Sequence, residues 1–416
     1  MRKLLSKGPN FREPKTLNYN KCLSSIEADL KNTVDHLNCK YNLANNALES
    51  WREAILAKVR NKIIHLKKKK TPQQSKPALK DPQILEYLNL IHNKYVLVPI
   101  DKASNNIAIV CKRFYIERTM KELGLLDTIS ETYKISNNNP SEIINDNITL
   151  CKKFGLAITE KHHSLPFMFW TPKMHKNPTG ARFIVASAMC STKPISNVIS
   201  IIFSKVLQQI NNFNSKYLFY NNYNRFWVIQ NSKTLINRLK ELNKKCNAKT
   251  ISTFDFRTLY AKPPHADLIL VLNELIDLVF NGGRKTASGN RKFLTVLGKQ
   301  CFFSRHKHGD NSFTKNEVKM LIKHLISETF FQVGNKLFRQ CIGIPMGIDP
   351  APFWANLYLY FYENKYITGL IKSKNQNERF RGFKFKNCFR FIDDCCSIND
   401  NYAFNQYHSD IYPIEL

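Results

Sequence analysis

Apolar positions along this chain switch between a spacing of three to four and a spacing of two, which predicts helices interleaved with short strands. From residue 20 to about 66 the period is helical. Cys22, Ile26, Leu30, Val34 and Leu37 form one face, and Leu43, Leu48, Trp51, Ile55, Val59 and Ile63 continue it in a second helix. Residues 82–92 read as a short helix. The runs 95–100 and 106–111 are β-like and flank the polar turn 101–106, which predicts a hairpin with Lys102 at its tip. A helix is expected over 114–125, and Asn- and Ser-rich connecting chain over 126–150. Residues 165–173 and 183–186 read as strands on either side of a basic turn.

Aliphatic spacing predicts a helix over 195–207. Residues 211–224 are rich in Asn, Tyr and Phe and predict no element. Leu235, Leu239 and Leu242 line an amphipathic helix over 231–244. A strand over 250–254 ends at Asp255. Leu268, Val271, Leu272, Leu275, Ile276 and Val279 give the helix 265–280 its apolar face, and Asn281-Gly-Gly-Arg ends it. From there to about residue 311 the chain is Gly- and Lys-rich and poorly patterned. Thr314, followed three residues later by Glu317, caps a helix over 315–330. Residues 331–338 predict a hairpin turning near Gly334-Asn335, and 350–366 a well-buried helix. Phe389, Phe391 and Ile392, then Cys395, Cys396 and Ile398, predict two short strands joined by a tight turn.

Composition narrows the function. A chain of 416 residues is long enough for two or three domains. Lys and Arg number 63 against 32 Asp and Glu, for a formal charge of +31 spread along the whole chain. Such dispersed charge favours a polyanionic partner, most simply nucleic acid, with an anionic membrane surface second. No apolar run is long enough to span a bilayer, and no apolar h-region marks a secretory signal at the N-terminus. The 11 cysteines are odd in number and show no repeated CxxC, as expected of reduced thiols in an intracellular protein. The run Lys67–Lys70 and the linker 72–80 read as solvated chain, with a phosphate contact or nuclear import as the functional alternative.

The candidate chemistry is acidic. Asp393 and Asp394 interrupt an apolar run, and Asp255 closes another. Unpaired buried carboxylates are costly, and a strand ending in one Asp beside a hairpin tipped by two is how a polymerase palm holds two divalent ions. The plain alternative is that Asp393 and Asp394 are ordinary turn residues. Lys173 and Arg182 bracket the basic turn and fit a triphosphate platform, Arg through paired hydrogen bonds; surface solvation explains them equally. Gly343 and Gly347 precede a helix and permit close backbone approach to a ligand, or simply make a turn.

In this order the motifs resemble a reverse transcriptase, most closely those of Penelope-like retroelements. Residues 5–11 resemble the family's opening segment, Pro99-Ile-Asp-Lys102 with Ile109-Val110 its N-terminal block, and Pro172-Lys-Met-His-Lys176 with Arg182 its fingers. Phe254-Asp255 with Leu259-Tyr260 resembles the first catalytic block. Residues 340–356 resemble the Gln-x-x-Gly-x-x-Met-Gly block with its helix, and Phe391-Ile-Asp-Asp394 the Tyr-x-Asp-Asp box with Phe for Tyr. The resemblance implies an α+β fold: right-hand fingers and palm, with a helical N-terminal extension over 1–80. Fingers with the first part of the palm are expected over 81–250, and the palm over 251–416, with thumb and GIY-YIG endonuclease missing.

It also implies RNA-directed DNA polymerase activity on an RNA template, a DNA primer and dNTPs, with two Mg²⁺ or Mn²⁺ ions, no membrane partner and a nuclear location. Asp255, Asp393 and Asp394 would be the catalytic and metal-binding acids, Asp255 and Asp393 foremost. Tyr260 would be the steric gate against a ribose 2′-OH. Lys173 and Arg182 would bind the triphosphate, and Gln340 and Gly343 would lie by the nascent pair. The alternative is an inactive remnant that only binds nucleic acid. Telomerase-like synthesis is a further reading, and no dedicated RNA-binding domain is recognisable in the first 95 residues.

Overall fold

The computed structural model describes residues 18–41, 44–68, 82–126, 129–177, 179–245, 248–282, 292–400 and 402–416. The opening segment 5–11, the side chains of the lysine run 67–70, its linker 72–80 and the end of the 281–284 helix exit lie outside them. Strands are numbered along the chain: β1 Tyr95–Ile100, β2 Ala103–Cys111, β3 Tyr133–Ser136, β4 Phe167–Lys173, β5 Gly180–Ala186, β6 Ile251–Asp255, β7 Phe293–Leu297, β8 Gln300–Ser304, β9 Ser312–Thr314, β10 Phe330–Val333, β11 Lys336–Gln340, β12 Cys388–Phe391 and β13 Asp394–Ile398. Two compact units form, neither contiguous in sequence. One comprises Met1–Thr128, Phe169–Ile184 and Leu297–Gln300; the other comprises Ile129–Met168, Val185–Val296 and Cys301–Leu416.

In the first unit the N-terminal helical period becomes two helices, Tyr19–Tyr41 and Asn45–Lys68. Leu48, Leu56 and Val34 are buried between them. β1 and β2 pair antiparallel from Tyr95 opposite Cys111 to Pro99 opposite Ile107, and the ladder is irregular at Pro99/Ile100. The turn is shorter than the polar stretch suggested, because Lys102 takes φ +60 and lets the chain reverse at once. Trp170 is locked to helix Lys112–Glu122: its ring stacks on Tyr115 at 4.6 Å, its backbone N–H donates to the Tyr115 hydroxyl at 2.8 Å and its indole N–H to the Tyr115 carbonyl at 3.2 Å. Tyr115 thereby holds the β4–β5 segment.

The second unit is built on helices Lys193–Asn221, His265–Phe280, Lys315–Ser327 and Ala351–Lys372. All six expected face residues of His265–Phe280 are buried, each burial being worth about 1.5–3 kcal/mol. The capping box also forms, with the Glu317 N–H donating to Thr314 Oγ1 at 3.3 Å and the Thr314 N–H to Glu317 Oε2 at 2.7 Å. That helix stops at Ser327, short of the expected 330, because Phe330–Val333 pairs with β11 around Gly334 at φ +61. β3 adds to the other side of β11, and Phe167 meets Gln332 in parallel. Among the described residues no helix is long and apolar enough to cross a membrane. Each cysteine whose side chain is described is a free thiol.

Three further stretches differ from their sequence reading. The connecting chain 126–150 contains β3 and the helix Pro140–Lys153, started by Asn139 accepting from the Ser141 N–H at 2.9 Å with Pro140 in the first turn. Helix Lys193–Asn221 runs through the Asn-rich segment, because Asn214 turns inward and donates to the Tyr360 hydroxyl at 2.9 Å. The unpatterned chain before Thr314 holds β7, β8 and β9. Their buried Thr295, Ser304 and Ser312 hydroxyls bond one another at 2.9–3.1 Å, so polar residues face inward where alternation predicts apolar ones.

Candidate active site

The acidic hairpin forms as a two-residue turn. β12 and β13 pair from Cys388 opposite Ser397 to Phe391 opposite Asp394, which leaves Ile392 and Asp393 as the turn. Only one of the two adjacent acids therefore sits in the turn; Asp394 opens the returning strand. Ile392 takes φ +57. The favoured two-residue hairpin turns have a positive φ at their first central residue, yet a β-branched side chain there is a steric outlier. The surroundings must hold such a residue in place.

β6 lies on the other side of β13, antiparallel, with Asp255 directly opposite Asp394, Phe254 opposite Cys395 and Ile251 opposite Ile398. Directly opposed residues share a face of the sheet, so both carboxylates project to one side, and both are exposed. The Phe256 N–H donates to the Asp393 carbonyl at 3.3 Å, tying the turn to the chain just beyond Asp255. Cys395 and Ile398 are buried on β13, and Phe254 stacks on Phe404 at 4.3 Å. Two strands and one turn thus place all three acids at the same end of the β12-β13-β6 sheet.

Their chemistry fits a hard divalent cation. The donors are all carboxylate oxygens, the set that suits Mg²⁺ and Mn²⁺. A cation held between Asp255 and Asp394 would take its ligands from two adjacent strands. Among the described residues no three His, Cys, Asp or Glu side chains already converge as an ion site.

Tyr260 follows in the turn after β6 and is half-buried. Burial, with the Asp393 charge adding to it, pushes its phenol up to about 12. It is a neutral hydroxyl at any physiological pH, on a ring close enough to feel Asp393. The chain over 340–347 packs onto the Tyr260 backbone. Gly343 has φ +92, and a Cβ there would lie 2.5 Å from the Tyr260 carbonyl oxygen. Gly347, at φ +91, is tighter: a Cβ would stand 1.9 Å from the Val185 oxygen. Their close approach is therefore to this chain's own backbone. Gln340 is 2 % exposed, and its amide donates to the Ile342 and Ile344 carbonyls at 2.9 and 3.3 Å. It braces the loop from inside.

Lys173 and Arg182 belong to the other unit, where they form a cation cluster of their own. Arg182 pairs with Asp101 at 3.1 Å; the Asp101 side chain is 6 % exposed and that of Arg182 49 %. The second Asp101 oxygen has no hydrogen-bond partner among the described residues. The Lys173 ammonium is held below its ordinary range, first by burial and then by Arg182, Lys176 and Lys102, with Asp101 opposing. Four cations around one buried carboxylate leave a surplus of positive charge that an anion would neutralise.

Sequence reasoning missed the groups beneath the hairpin. Arg390 and Glu363 are both fully buried and paired at 2.6 Å. A signal for each was present: Arg390 is the one charge in the strand Cys388–Phe391, and Glu363 sits within the helix Ala351–Lys372. It also missed Asp349 at the start of that helix, held by Lys193 at 2.6 Å and Ser196 at 3.0 Å.

No protein-family model matches the chain, and no curated protein matches its sequence. Solved structures similar to it are telomerases. That of Candida albicans in complex with a TWJ fragment of telomeric RNA gives a TM-score of 0.49 at 11% identity, covering 81% of this chain and 52% of that one. Apo telomerase from Candida tropicalis gives 0.44 at 11% identity, covering 96% and 64%. The same protein truncated from its C-terminal domain gives 0.49 at 10% identity, covering 98% and 76%. The chain spans about half the length of the Candida albicans protein.

Proposed function

We propose that this chain is an RNA-directed DNA polymerase of the reverse-transcriptase type, from a Penelope-like retroelement. It would transfer a nucleotidyl group from a dNTP to the 3′-OH of a DNA primer. The observation that carries this reading is Asp255 facing Asp394 across β6 and β13, with Asp393 in the adjoining turn. Bound there, two Mg²⁺ or Mn²⁺ ions would activate the attacking oxygen and stabilise the leaving pyrophosphate. Asp255 and Asp393 are the principal ligands in this reading, and Asp394 assists. The Tyr260 ring would act as the steric gate against a ribose 2′-OH, favouring a deoxynucleotide. Lys173 and Arg182 supply positive charge for the triphosphate. The 340–347 loop, with Gln340 and Gly343 in its frame, supports the nascent pair.

A second reading rests on the formal charge of +31 alone: a chain that binds nucleic acid without catalysis. Primer extension on poly(rA)–oligo(dT) with Mg²⁺ or Mn²⁺, beside an Asp393→Asn control, separates the two. Extension by the wild type and its loss, by about a thousandfold or more, in the control supports the polymerase. A folded wild type that binds the duplex and extends nothing leaves the binding reading.

A further inference from the structure

We propose that Arg390 is a positioning residue for the acidic turn, setting the direction of Asp393 through the peptide that joins it to Ile392. This rests on the polymerase reading for its consequence, though not for its geometry.

Arg390 is fully buried on β12, two residues before the turn. A guanidinium has five N–H donors in a rigid plane. Here each has an acceptor. Nε and one Nη2 hydrogen form a fork on Glu363 at 2.6 and 3.2 Å. The other Nη2 hydrogen goes to the Asn356 carbonyl at 2.9 Å. Nη1 donates to Asn356 Oδ1 and to the Ile392 carbonyl, both at 2.9 Å. Glu363 is steadied in turn by the Tyr412 hydroxyl at 2.9 Å. The Arg390 backbone is pinned as well: its N–H donates to the Trp227 carbonyl at 2.7 Å, and its carbonyl accepts from the Ile229 N–H at 2.8 Å.

The Ile392 carbonyl is the informative acceptor. It belongs to the residue at φ +57, and it shares a peptide plane with the Asp393 N–H. Fixing that oxygen fixes the plane from which the Asp393 side chain departs. The next plane is fixed from the opposite side, where the Asp393 carbonyl accepts from the Phe256 N–H at 3.3 Å. Asp393 is thus held through both of its peptides, one by helix Ala351–Lys372 acting through Arg390, the other by the chain beyond Asp255. A buried ion pair is weak ground for stability, since an apolar pair of like volume often serves as well. Its directional donors are what an apolar pair lacks. Lysine would keep the charge and lose the fork.

The test uses the full chain with Arg390→Lys and the charge-neutral double variant Arg390→Gln/Glu363→Gln, which leaves no unpaired buried charge. Four quantities are read: hydrogen exchange of segments 252–258 and 391–395, the Mg²⁺ half-saturation for incorporation, the dNTP KM, and direct Mn²⁺ binding by electron paramagnetic resonance. We expect both variants to stay protected over residues 351–372 and to lose protection in the two hairpin segments. The Mg²⁺ half-saturation rises about tenfold or more, as for other groups that orient metal ligands, while the dNTP KM stays within roughly twofold. Folded variants with unchanged hairpin exchange and unchanged Mg²⁺ half-saturation overturn the proposal. So does global loss of protection in both variants, which makes Arg390 a general folding residue. If the wild type binds no Mn²⁺ that depends on Asp393, the polymerase reading fails; the exchange data still decide whether Arg390 holds the turn.

Discussion

Tyr260 reports on its acidic neighbour. Burial is the larger cause of its raised pKa and the Asp393 charge the smaller. Removing that charge therefore lowers the phenol pKa from about 12 without returning it to the ordinary 10.0. Ultraviolet titration of Asp393→Asn, with Tyr260→Phe identifying the band, measures this; an unchanged Tyr260 titration would mean that the two side chains do not meet in solution. Gly347 gives a second test. An alanine there must take a positive φ and push its Cβ against a backbone oxygen. The cost is about 3 kcal/mol or more, from the left-handed backbone and the overlap together. A Gly347→Ala protein whose urea midpoint matches the wild type would show that the 340–347 loop packs differently. At this scale the acids and the glycines were legible in the sequence. Gln340 was legible as the first residue of the Gln-x-x-Gly block, whereas its burial and its two loop carbonyls are invisible to spacing.

Elements in the second unit are joined by polar bridges that carry a pH dependence. His324, on helix Lys315–Ser327, meets Asn147 Oδ1 at 2.7 Å, and the Asn147 amide donates to Ser191 Oγ at 3.0 Å. Burial holds the His324 pKa below 6.5, against a weaker opposing pull from Asp146. The folded protein thus prefers the neutral ring. Its contribution to stability is complete above the unfolded pKa of about 6.5 and is lost as pH falls below it, toward and through the folded pKa. His324→Gln keeps a donor for Asn147 and cannot titrate. It should lose less stability than the wild type between about pH 7 and pH 5, read from urea midpoints. Equal losses would assign the acid sensitivity elsewhere, for example to His265, which burial also lowers. Elements with a clean period, such as His265–Phe280, were read to the residue. Pro140–Lys153 was missed although Asn139 and Pro140 are a start signal, because Asn and Ser are as common in loops as at caps.

For the molecule as a whole, charge is the dominant observable. If a protein carrying +31 binds a nucleic-acid duplex, counterion release supplies most of the affinity, which then falls steeply with salt. With six or more phosphates neutralised, binding of an RNA–DNA duplex should weaken on the order of a thousandfold between roughly 50 and 200 mM salt. Fluorescence anisotropy across that range measures the slope, and a nearly flat dependence would sink the polyanion reading. The two units each draw on segments far apart in sequence. Hydrophobic periodicity is local and cannot show which distant strand a segment joins.

Local chemistry in the chain was enough to determine the cleanest helical and strand periods, the surplus of charge, the capping box at Thr314, a hairpin turning near Gly334-Asn335 and the three acids as candidates. These depend on neighbours within a turn or a strand. Only the tertiary structure decided that Asp255 lies opposite Asp394, that Gly343 and Gly347 press on backbone from Tyr260 and Val185, and that Arg390 reaches both Glu363 and the Ile392 carbonyl. Those contacts join residues that are remote along the chain. Their free energy depends on burial and on the direction of each donor, which exist only once the strands have paired and the helices have packed.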